Sequence, residues 1–463
     1  MPSIPETPTR PAVVRPTRTW VALALVAGLA ASASARPPPP AHGAAPAQGR
    51  IAFPGAVGWA ATTPGGRAGA VHRVTTLAAS GPGSFAEAVN ARGPRIVVFE
   101  VGGVIDLGLT TLRITEPYLT IAGQTAPAPG ITLVRGGLDI ATHDVVVRHL
   151  RVRPGDGNQP KRSGFDFDAI STVAAHDVIV DHCSLTWATD EGLSASGPRF
   201  VEGGRTREEF RNGTSRRITF SNNLIAEGLA DASHAKGEHS KGTLVHDHVQ
   251  EILIVGNLYA HNYERNPLFK GGVSGQVINN LIYNPGVRAA HYNLIPEEWI
   301  GHDYERGAMA LIGNVMRAGP STGDLAFFMI GGSGDIDLHA ADNLLVDRIG
   351  NASIQAEGRY TTTPVEVRAA PAPPLPPGVT PMAAPRVQDA VIATAGARPW
   401  DRDPIDRRIV ADVIEGRGAI IDSQEQVGGY PAYAATRRAF VPADWDMDTM
   451  EPLRPHERGA ALR

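Results

Sequence analysis

Cysteine is almost absent from this sequence, which has 463 residues and a single thiol at Cys183. One cysteine excludes an intrachain disulfide, so the fold must depend on packing or bound metal for its stability. We expect Cys183 to be a packed small apolar residue rather than a nucleophile.

Aromatic residues are also scarce, and the chain has no excess of positive charge. Aromatics make up 6% of the chain and the formal net charge is -4, so no basic field marks a nucleic-acid-binding protein. An anionic substrate would therefore need locally placed Arg and Lys. The sequence does have 51 Gly, 38 Pro and 42% hydrophobic residues, which favours a turn-rich protein of many short strands over a helical one.

The N-terminal stretch lacks the length to anchor the chain. The apolar run from Trp20 to Ala31 is shorter than the about 20 residues that a membrane-spanning helix needs. Three arginines precede it, and the small residues Ala33 to Ala35 follow it, which is the order of a secretory signal. We predict a signal peptide over residues 1–35, a disordered Pro/Ala-rich linker over 36–50, and export to the periplasm or the extracellular space, with no membrane association after cleavage.

Two acidic clusters flank a strand-like run between Phe165 and Ser194. Asp166 and Asp168 come first, and Asp190 and Glu191 follow the run. If the chain coils so that this strand stacks beside its neighbours, both clusters can meet at one edge. Gathered carboxylate oxygens form a site for a hard cation, most plausibly Ca²⁺, whereas separate pairs would be solvated turn acids.

Short strands dominate the ordered part of the chain. The capping pattern from Ser84 to Glu87 predicts a short helix that buries Phe85 and Val89. Further strand signals cover Ile96–Glu100, Tyr118–Ala122, Ile131–Val134, Val145–Val152 and Val178–Cys183.

A repeated asparagine marks the second half of the chain. Each of five apolar segments carries one, at irregular spacing: Asn223, Asn257, Asn280, Asn314 and Asn343. This predicts a solenoid whose rungs stack to form a common core. We expect these asparagines to lie at matching corners, where Asn can tolerate left-handed backbone, and to bond their amides to the rungs above and below. The fold predicted is all-β, a parallel β-helix over residues 51–350; an open sandwich is the alternative.

The C-terminal part is expected to pack on the solenoid. Residues 351–397 form a Pro/Ala-rich wrapping segment, and residues 398–463 form a helix and tail. The spacing of Ile405, Ile409, Val410 and Val413 predicts a short amphipathic helix.

The ordered motifs together resemble the bacterial pectate lyases of polysaccharide lyase family 1, over roughly Ile51 to Tyr430. Each motif alone is weak, but their order is specific; they are Ala52–Ala56, Gly65–Arg67, Ser80–Phe85, Ile121–Pro127, Val147–Asp156, Asp168–Ile170, Val180–Ser184, Thr189–Glu191, Arg265–Pro267, Asp422–Gln424 and Val427–Gly429. The resemblance implies a right-handed single-stranded β-helix of the pectin lyase type. It also implies a secreted, monomeric enzyme that cleaves polygalacturonate, an acidic polysaccharide, by Ca²⁺-assisted β-elimination.

The resemblance further implies roles for individual residues. Asp166, Asp168 and Asp190 match the family's calcium ligands, but Ser194 stands where the family often has another acid, and we expect Glu191 to substitute. Arg265 matches the arginine that takes the proton from C5 of the uronate. A structural arginine that bonds loop carbonyls is the alternative.

Substrate-binding cations are expected near Arg265. Lys241 fits the family's strand spacing better than Lys236, and Lys270 could retain a charge where the family has arginine, without its bidentate geometry. Leu268 replaces a further family arginine, which weakens the expected binding of a fully charged chain.

Several other residues are assigned structural or sugar-contacting roles. The spacings of His234, His239, His246 and His248 do not match a standard zinc site. Core packing is the expected role of three aromatic residues, although each could stack on a sugar: Trp187, Tyr292 and Trp299.

Three other functions remain open from the sequence. A polygalacturonase on the same architecture needs an Asp-Asp pair, a Gly-His-Gly and an Arg-Ile-Lys, and none of these occurs here. A lyase on another uronate polymer shares the chemistry. A non-catalytic carbohydrate-binding β-helix stays possible because Ser194 and Leu268 remove two family charges.

Overall fold

The computed structural model describes residues 49–239, 241–352 and 355–453, so the predicted signal peptide and nearly all of the linker lie outside the described residues. The strands, numbered along the chain, are β1 Ala70–Val74, β2 Arg95–Phe99, β3 Val101–Asp106, β4 Leu112–Ile114, β5 Leu119–Ala122, β6 Ile131–Val134, β7 Leu138–Ile140, β8 His143–Arg148, β9 Arg151–Arg153, β10 Ile170–Val173, β11 His176–Asp181, β12 Ser184–Thr186, β13 Glu191–Ser196, β14 Arg216–Ser221, β15 Leu224–Ala226, β16 Lys241–Val245, β17 Gln250–Val255, β18 Leu258–Ala260, β19 Leu268–Lys270, β20 Ser274–Ile278, β21 Leu281–Tyr283, β22 Ala290–Leu294, β23 Gly307–Ile312, β24 Val315–Arg317, β25 Phe328–Gly332, β26 Ile336–Ala341, β27 Leu344–Val346, β28 Glu357–Arg359, β29 Val367–Ala369, β30 Thr436–Arg437, β31 Trp445–Asp446 and β32 Glu451–Pro452. The helices in these ranges are α1 Phe85–Val89, α2 Arg207–Gly213, α3 Val387–Thr394 and α4 Pro404–Glu415.

Three long sheets wrap around one apolar core. Sheet 1 has the order β1-β2-β5-β8-β11-β14-β17-β20-β23-β26-β29, sheet 2 runs β28-β25-β22-β19-β16-β13-β10-β7-β4, and sheet 3 runs β27-β24-β21-β18-β15-β12-β9-β6-β3-β30. From β8 onward each rung contributes one strand to sheet 1, then sheet 3, then sheet 2, and the pairing between rungs is parallel. The predicted right-handed parallel β-helix is therefore confirmed, and the open sandwich is excluded.

The asparagine ladder lies at the turn between sheet 1 and sheet 3. The side-chain oxygen of Asn257 accepts from the backbone N–H of Asn223 at 2.8 Å, and Asn280, Asn314 and Asn343 repeat this contact. The amide bonding is confirmed, but the left-handed backbone was assigned one residue too late. The positive φ angles belong to the residue before each ladder asparagine: Asn222, Gly256, Asn279, Gly313 and Asp342.

One strand prediction and one domain boundary need correction. The run Val145–Val152 is divided between β8 and β9 because His149, with φ of 58°, turns the chain from sheet 1 into sheet 3. The β-helix also continues past residue 350, since β28 pairs with β25 and β29 pairs with β26. Helix α1 forms where predicted, and Ser84 Oγ accepts from the N–H of Glu87 at 3.2 Å, but the Glu87 carboxylate bonds Gly83 instead of Ser84.

The C-terminal part packs on the outside of sheet 3. Helix α4 forms where predicted, with Ile409 and Val413 fully buried against α3 and the outer residues of sheet 3. Beyond it, β30 pairs antiparallel with β3, whereas Trp445 and Met450 pack on the first strands of sheet 1, β2 and β5. Two arginines of β9 meet two carboxylates of α4 and its N-cap in a fully buried network: Arg151, Arg153, Asp403 and Asp406.

Candidate functional site

Three carboxylates gather at the edge of sheet 2 where its strands begin. Asp190 directly precedes β13, Glu191 is its first residue, and Asp168 lies two residues before β10 on the preceding rung. The parallel register of β10 and β13 stacks these positions, and one oxygen from each side chain lies within 4.8 Å of the others. We call Asp168, Asp190 and Glu191 the acidic cluster.

Asp168 is held by two hydrogen bonds from the next rung. Its Oδ1 accepts from the N–H of Glu191 at 3.0 Å, and its Oδ2 accepts from Ser194 Oγ at 2.6 Å. Burial raises the pKa of Asp168 well above its usual range, and the charges of Glu191 and Asp190 raise it further. The cluster is therefore destabilised by its own charge and would gain from a bound cation.

Glu191 joins the acidic cluster to Arg265. A guanidinium nitrogen of Arg265 donates to Glu191 Oε1, although 74 residues separate them in the chain. Burial and then Asp190 raise the pKa of Glu191, and Arg265 opposes them. Burial alone would lower the pKa of Arg265, but Glu191, Glu264 and Asp190 raise it above its ordinary value. Arg265 thus faces the acidic cluster as a charged group.

A register shift in the backbone positions Arg265. Lys241 pairs with Glu264, 23 residues later, whereas Leu244 pairs with Leu268, 24 residues later, so the later rung has one extra residue. Arg265 lies within this bulge and has φ of 60°, which is uncommon for a side chain of this size. Strained backbone of this kind often occurs at functional sites.

Lys241 continues the line of charges along the sheet edge. It pairs in register with Glu191 on one side and with Glu264 on the other. Its Nζ lies 2.9 Å from Glu264 Oε1 and 5.0 Å from the centre of the Tyr263 ring. Burial lowers the pKa of Lys241, although Glu264 counteracts the shift.

The other two predicted lysines lie apart from this line. Lys236 is exposed in the loop before β16, and its backbone N–H donates to His234 Nδ1 at 3.0 Å. Lys270 ends β19, at the far end of the sheet 2 strands, where it pairs with Glu298 and lies 3.7 Å from Asp247 Oδ2.

Two histidines extend the acidic cluster towards Asp166. His239 Nε2 lies 3.0 Å from Asp190 Oδ1, and its ring stacks on His234 at 3.9 Å. Asp166 is half exposed and lies 3.6 Å from His234 Nε2, so it approaches the cluster through His234. Asp190, His234 and His239 place ligand atoms within 4.8 Å of one another. However, His234 Nδ1 accepts a backbone N–H, which leaves the proton of the neutral ring on Nε2 and makes that atom a donor, not a metal ligand.

The remaining histidines and aromatics have structural roles. His246 lies beside Arg199 at 3.2 Å and the His248 ring contacts Trp299 at 4.8 Å, both away from His234. Each of the three aromatic residues considered as sugar platforms is buried, and bonds a neighbour inside the fold: Trp187 to Glu227, Trp299 to Asp247, and Tyr292 to the Glu305 carbonyl. Cys183 is buried and free, as predicted.

Sequence reasoning missed two members of this charged edge. Glu264 bonds both Lys241 and Arg288. Arg288 follows Arg265 by the same 23 residues that separate Asn257 from Asn280, and this rung spacing would have identified it. Glu264 directly precedes Arg265, which was its only signal.

The fold and this edge define a parallel β-helix protein with a cation-attracting carboxylate cluster beside a guanidinium. No family model matches the chain. The chain is 37% identical over 279 residues to a "Probable pectate lyase C" of Aspergillus terreus, a match that covers 60% of this chain and 57% of that protein. It is 36% identical to the "Probable pectate lyase C" of Aspergillus fumigatus, over 60% of this chain and 56% of the relative. The chain therefore spans little more than half the length of the curated relatives it matches.

A solved structure shares the fold. The cedar pollen allergen jun a 1 superposes with a TM-score of 0.51 at 15% identity, over 74% of this chain and 92% of the allergen. The allergen supports the fold, and the curated relatives confirm the resemblance to pectate lyases that the sequence motifs indicated. Among the described residues, no helix is long and apolar enough to cross a membrane.

Proposed function

We propose that this protein is a polysaccharide lyase that cleaves pectate by β-elimination. The observation that carries the proposal is the acidic cluster of Asp168, Asp190 and Glu191 in direct contact with Arg265. The names of the curated relatives support the same chemistry. An elimination next to a carboxylate builds up negative charge, and preorganised cations stabilise it.

The residues present fit a hard divalent cation. All three donors of the acidic cluster are carboxylate oxygens, which suit Ca²⁺. Burial raises the pKa values of Asp168 and Glu191, which reflects charge that the fold leaves uncompensated. We propose that Asp168, Asp190 and Glu191 hold Ca²⁺, with Asp166 at the rim. When bound, the ion would neutralise the uronate carboxylate and make the C5 proton more acidic.

The chain's own cations would act on the sugar. Because its carboxylate neighbours hold Arg265 in the charged form, Arg265 must first give up one of its own protons to solvent. It then takes the C5 proton as the C4–C5 double bond forms and the bond between C4 and the glycosidic oxygen breaks. The leaving oxygen takes a proton from water, and an unsaturated sugar end remains. Lys241 binds a substrate carboxylate beside Arg265, and the exposed Lys236 contacts the polysaccharide from the loop before β16. Lys270, paired with Glu298 at the other end of the strands, would meet a more distant sugar.

One feature favours a lyase for a different uronate polymer as the second candidate. Leu268 is buried where the resemblance predicts arginine, and Lys270 already forms an ion pair with Glu298. Fewer positive side chains are therefore left to bind a polysaccharide that carries a carboxylate on every sugar. We also propose that residues 1–35 direct export, that 36–50 link to the catalytic β-helix, that the C-terminal segments after β29 are accessory, and that the protein acts as a monomer.

An elimination assay tests the proposal. Purified protein is incubated with polygalacturonate, and with alginate as a second polymer, in CaCl₂ or in EDTA. Ultraviolet absorbance of the unsaturated product should rise on polygalacturonate with CaCl₂ and stay flat in EDTA. New reducing ends without that absorbance would indicate hydrolysis and contradict the proposal.

A further inference from the structure

Glu191 takes part in two arrangements that compete for the same carboxylate. It supplies an oxygen to the acidic cluster with Asp168 and Asp190, and its Oε1 also accepts from Arg265. The side chain is almost fully buried, at 4% exposure, so water cannot easily replace either partner.

Neighbouring charges leave Arg265 dependent on Glu191. Two other carboxylates lie near Arg265, and both have partners of their own. Glu264 pairs with Lys241 at 2.9 Å and with Arg288, and Asp190 lies 3.0 Å from His239 Nε2. The Arg265 Nε atom is buried and has no hydrogen-bond partner within the described residues. Glu191 is therefore the group that anchors this guanidinium.

We propose that Glu191 couples cation binding to the release of Arg265. As long as Glu191 bonds Arg265, the negative charge of Glu191 is partly compensated by the guanidinium. A divalent cation at the acidic cluster must therefore compete with Arg265 for the Glu191 carboxylate. When Glu191 turns to a cation, Arg265 loses its anchor and becomes available to substrate. The inference rests on the proposed function for the cation site and for the role of the released arginine, but measuring the competition needs no turnover.

Reciprocity makes this competition measurable without substrate. Two ligands that compete for one group weaken each other's binding by the same factor, and such couplings are commonly about 5- to 150-fold. Removing the guanidinium should therefore tighten cation binding.

Isothermal titration calorimetry with CaCl₂ on the metal-stripped full chain provides the test. Arg265→Gln is expected to lower the Kd for Ca²⁺ about tenfold. The matched control Arg288→Gln removes the same charge one rung further along, but its partner is Glu264, so Kd should stay within about twofold. Arg265→Lys keeps a positive charge, so its Kd for Ca²⁺ should lie between those of the wild type and Arg265→Gln. It provides a second variant if Arg265→Gln folds poorly.

The outcomes separate this inference from the enzymatic proposal. If Arg265→Gln lowers the Kd for Ca²⁺ and Arg288→Gln does not, the competition is supported, even if the elimination assay shows no activity. An unchanged or weaker Kd, an equal effect of Arg288→Gln, or no Ca²⁺ binding by any variant would overturn it. If Ca²⁺ binds but Arg265→Gln does not tighten it, lyase activity that EDTA abolishes would leave the proposed function standing without this coupling.

Discussion

Ser194 donates a hydrogen bond to Asp168 across 2.6 Å, from the position where pectate lyases often have another acid. The hydroxyl thus orients a carboxylate of the acidic cluster instead of adding one. Groups that orient metal ligands commonly contribute tenfold or more to affinity. We predict that Ser194→Ala raises the Kd for Ca²⁺ about tenfold by calorimetry. Ser196→Ala, which loses only a contact with the Thr172 carbonyl, is the control and should leave Kd unchanged.

Asp168 should set the calcium requirement of the reaction. Asp168→Asn keeps the shape of the side chain but removes a full charge from the cluster. We expect the CaCl₂ concentration for half-maximal elimination to rise at least about tenfold. Asp139→Asn, an acid on the same sheet that bonds Arg113, should not change it. An unchanged requirement in Asp168→Asn would mean that the cation binds elsewhere.

The same substitution should have the opposite effect on stability when no metal is present. The folded-state pKa of Asp168 lies well above its unfolded value, so the folded chain holds more protons and loses stability as pH rises between the two values. In EDTA at pH 7, Asp168→Asn should raise Tm by about 2 °C or more. The difference should vanish below about pH 3, where wild-type Asp168 is protonated in both states. Thermal unfolding in EDTA measures this, and a lower Tm for the variant at pH 7 would contradict it.

The buried charge network should be essential for docking α4. Arg153 bonds both oxygens of Asp403, at 2.6 and 3.1 Å, and these side chains are completely buried. Asp403→Asn leaves buried guanidinium charge uncompensated and should cost about 3–5 kcal/mol of unfolding free energy. Glu415→Gln, in the same helix, breaks an exposed pair with Arg417 and should cost less than about 1 kcal/mol. Urea unfolding of the two variants compares them directly, and equal losses would contradict this account.

The sequence predicted features that repeat from rung to rung. The Asn223-to-Asn343 ladder recurs in five successive units of the second half, together with β-branched runs, so one pattern, seen several times, indicated a parallel solenoid. The displacement of positive φ to the preceding residue was missed because Asn, Asp and Gly all tolerate that backbone. The continuation through β28 and β29 was missed because these strands are short and largely exposed.

The site was only partly predictable because its contacts join different rungs. Asp168, Asp190, Glu191 and Arg265 could be selected from local motifs. Their pairing depends on loop lengths that no motif encodes: the pair between Glu191 and Arg265 spans three rungs and a bulge. The pairing of Lys270 with Glu298 likewise depends on how the loop after β22 folds back over the end of β19, which no local motif encodes.

The central claim is that Arg265 acts as a base beside a calcium-dependent carboxylate cluster, and Arg265→Lys tests it most directly. Turnover of polygalacturonate at saturating CaCl₂, followed by ultraviolet absorbance, should fall about a thousandfold, within the range typical for loss of a general base. Arg216 lies in β14 of sheet 1, and its guanidinium donates to the Asn212 carbonyl. Arg216→Lys serves as the control and should retain full turnover. Near-normal turnover by a folded Arg265→Lys variant would contradict the account.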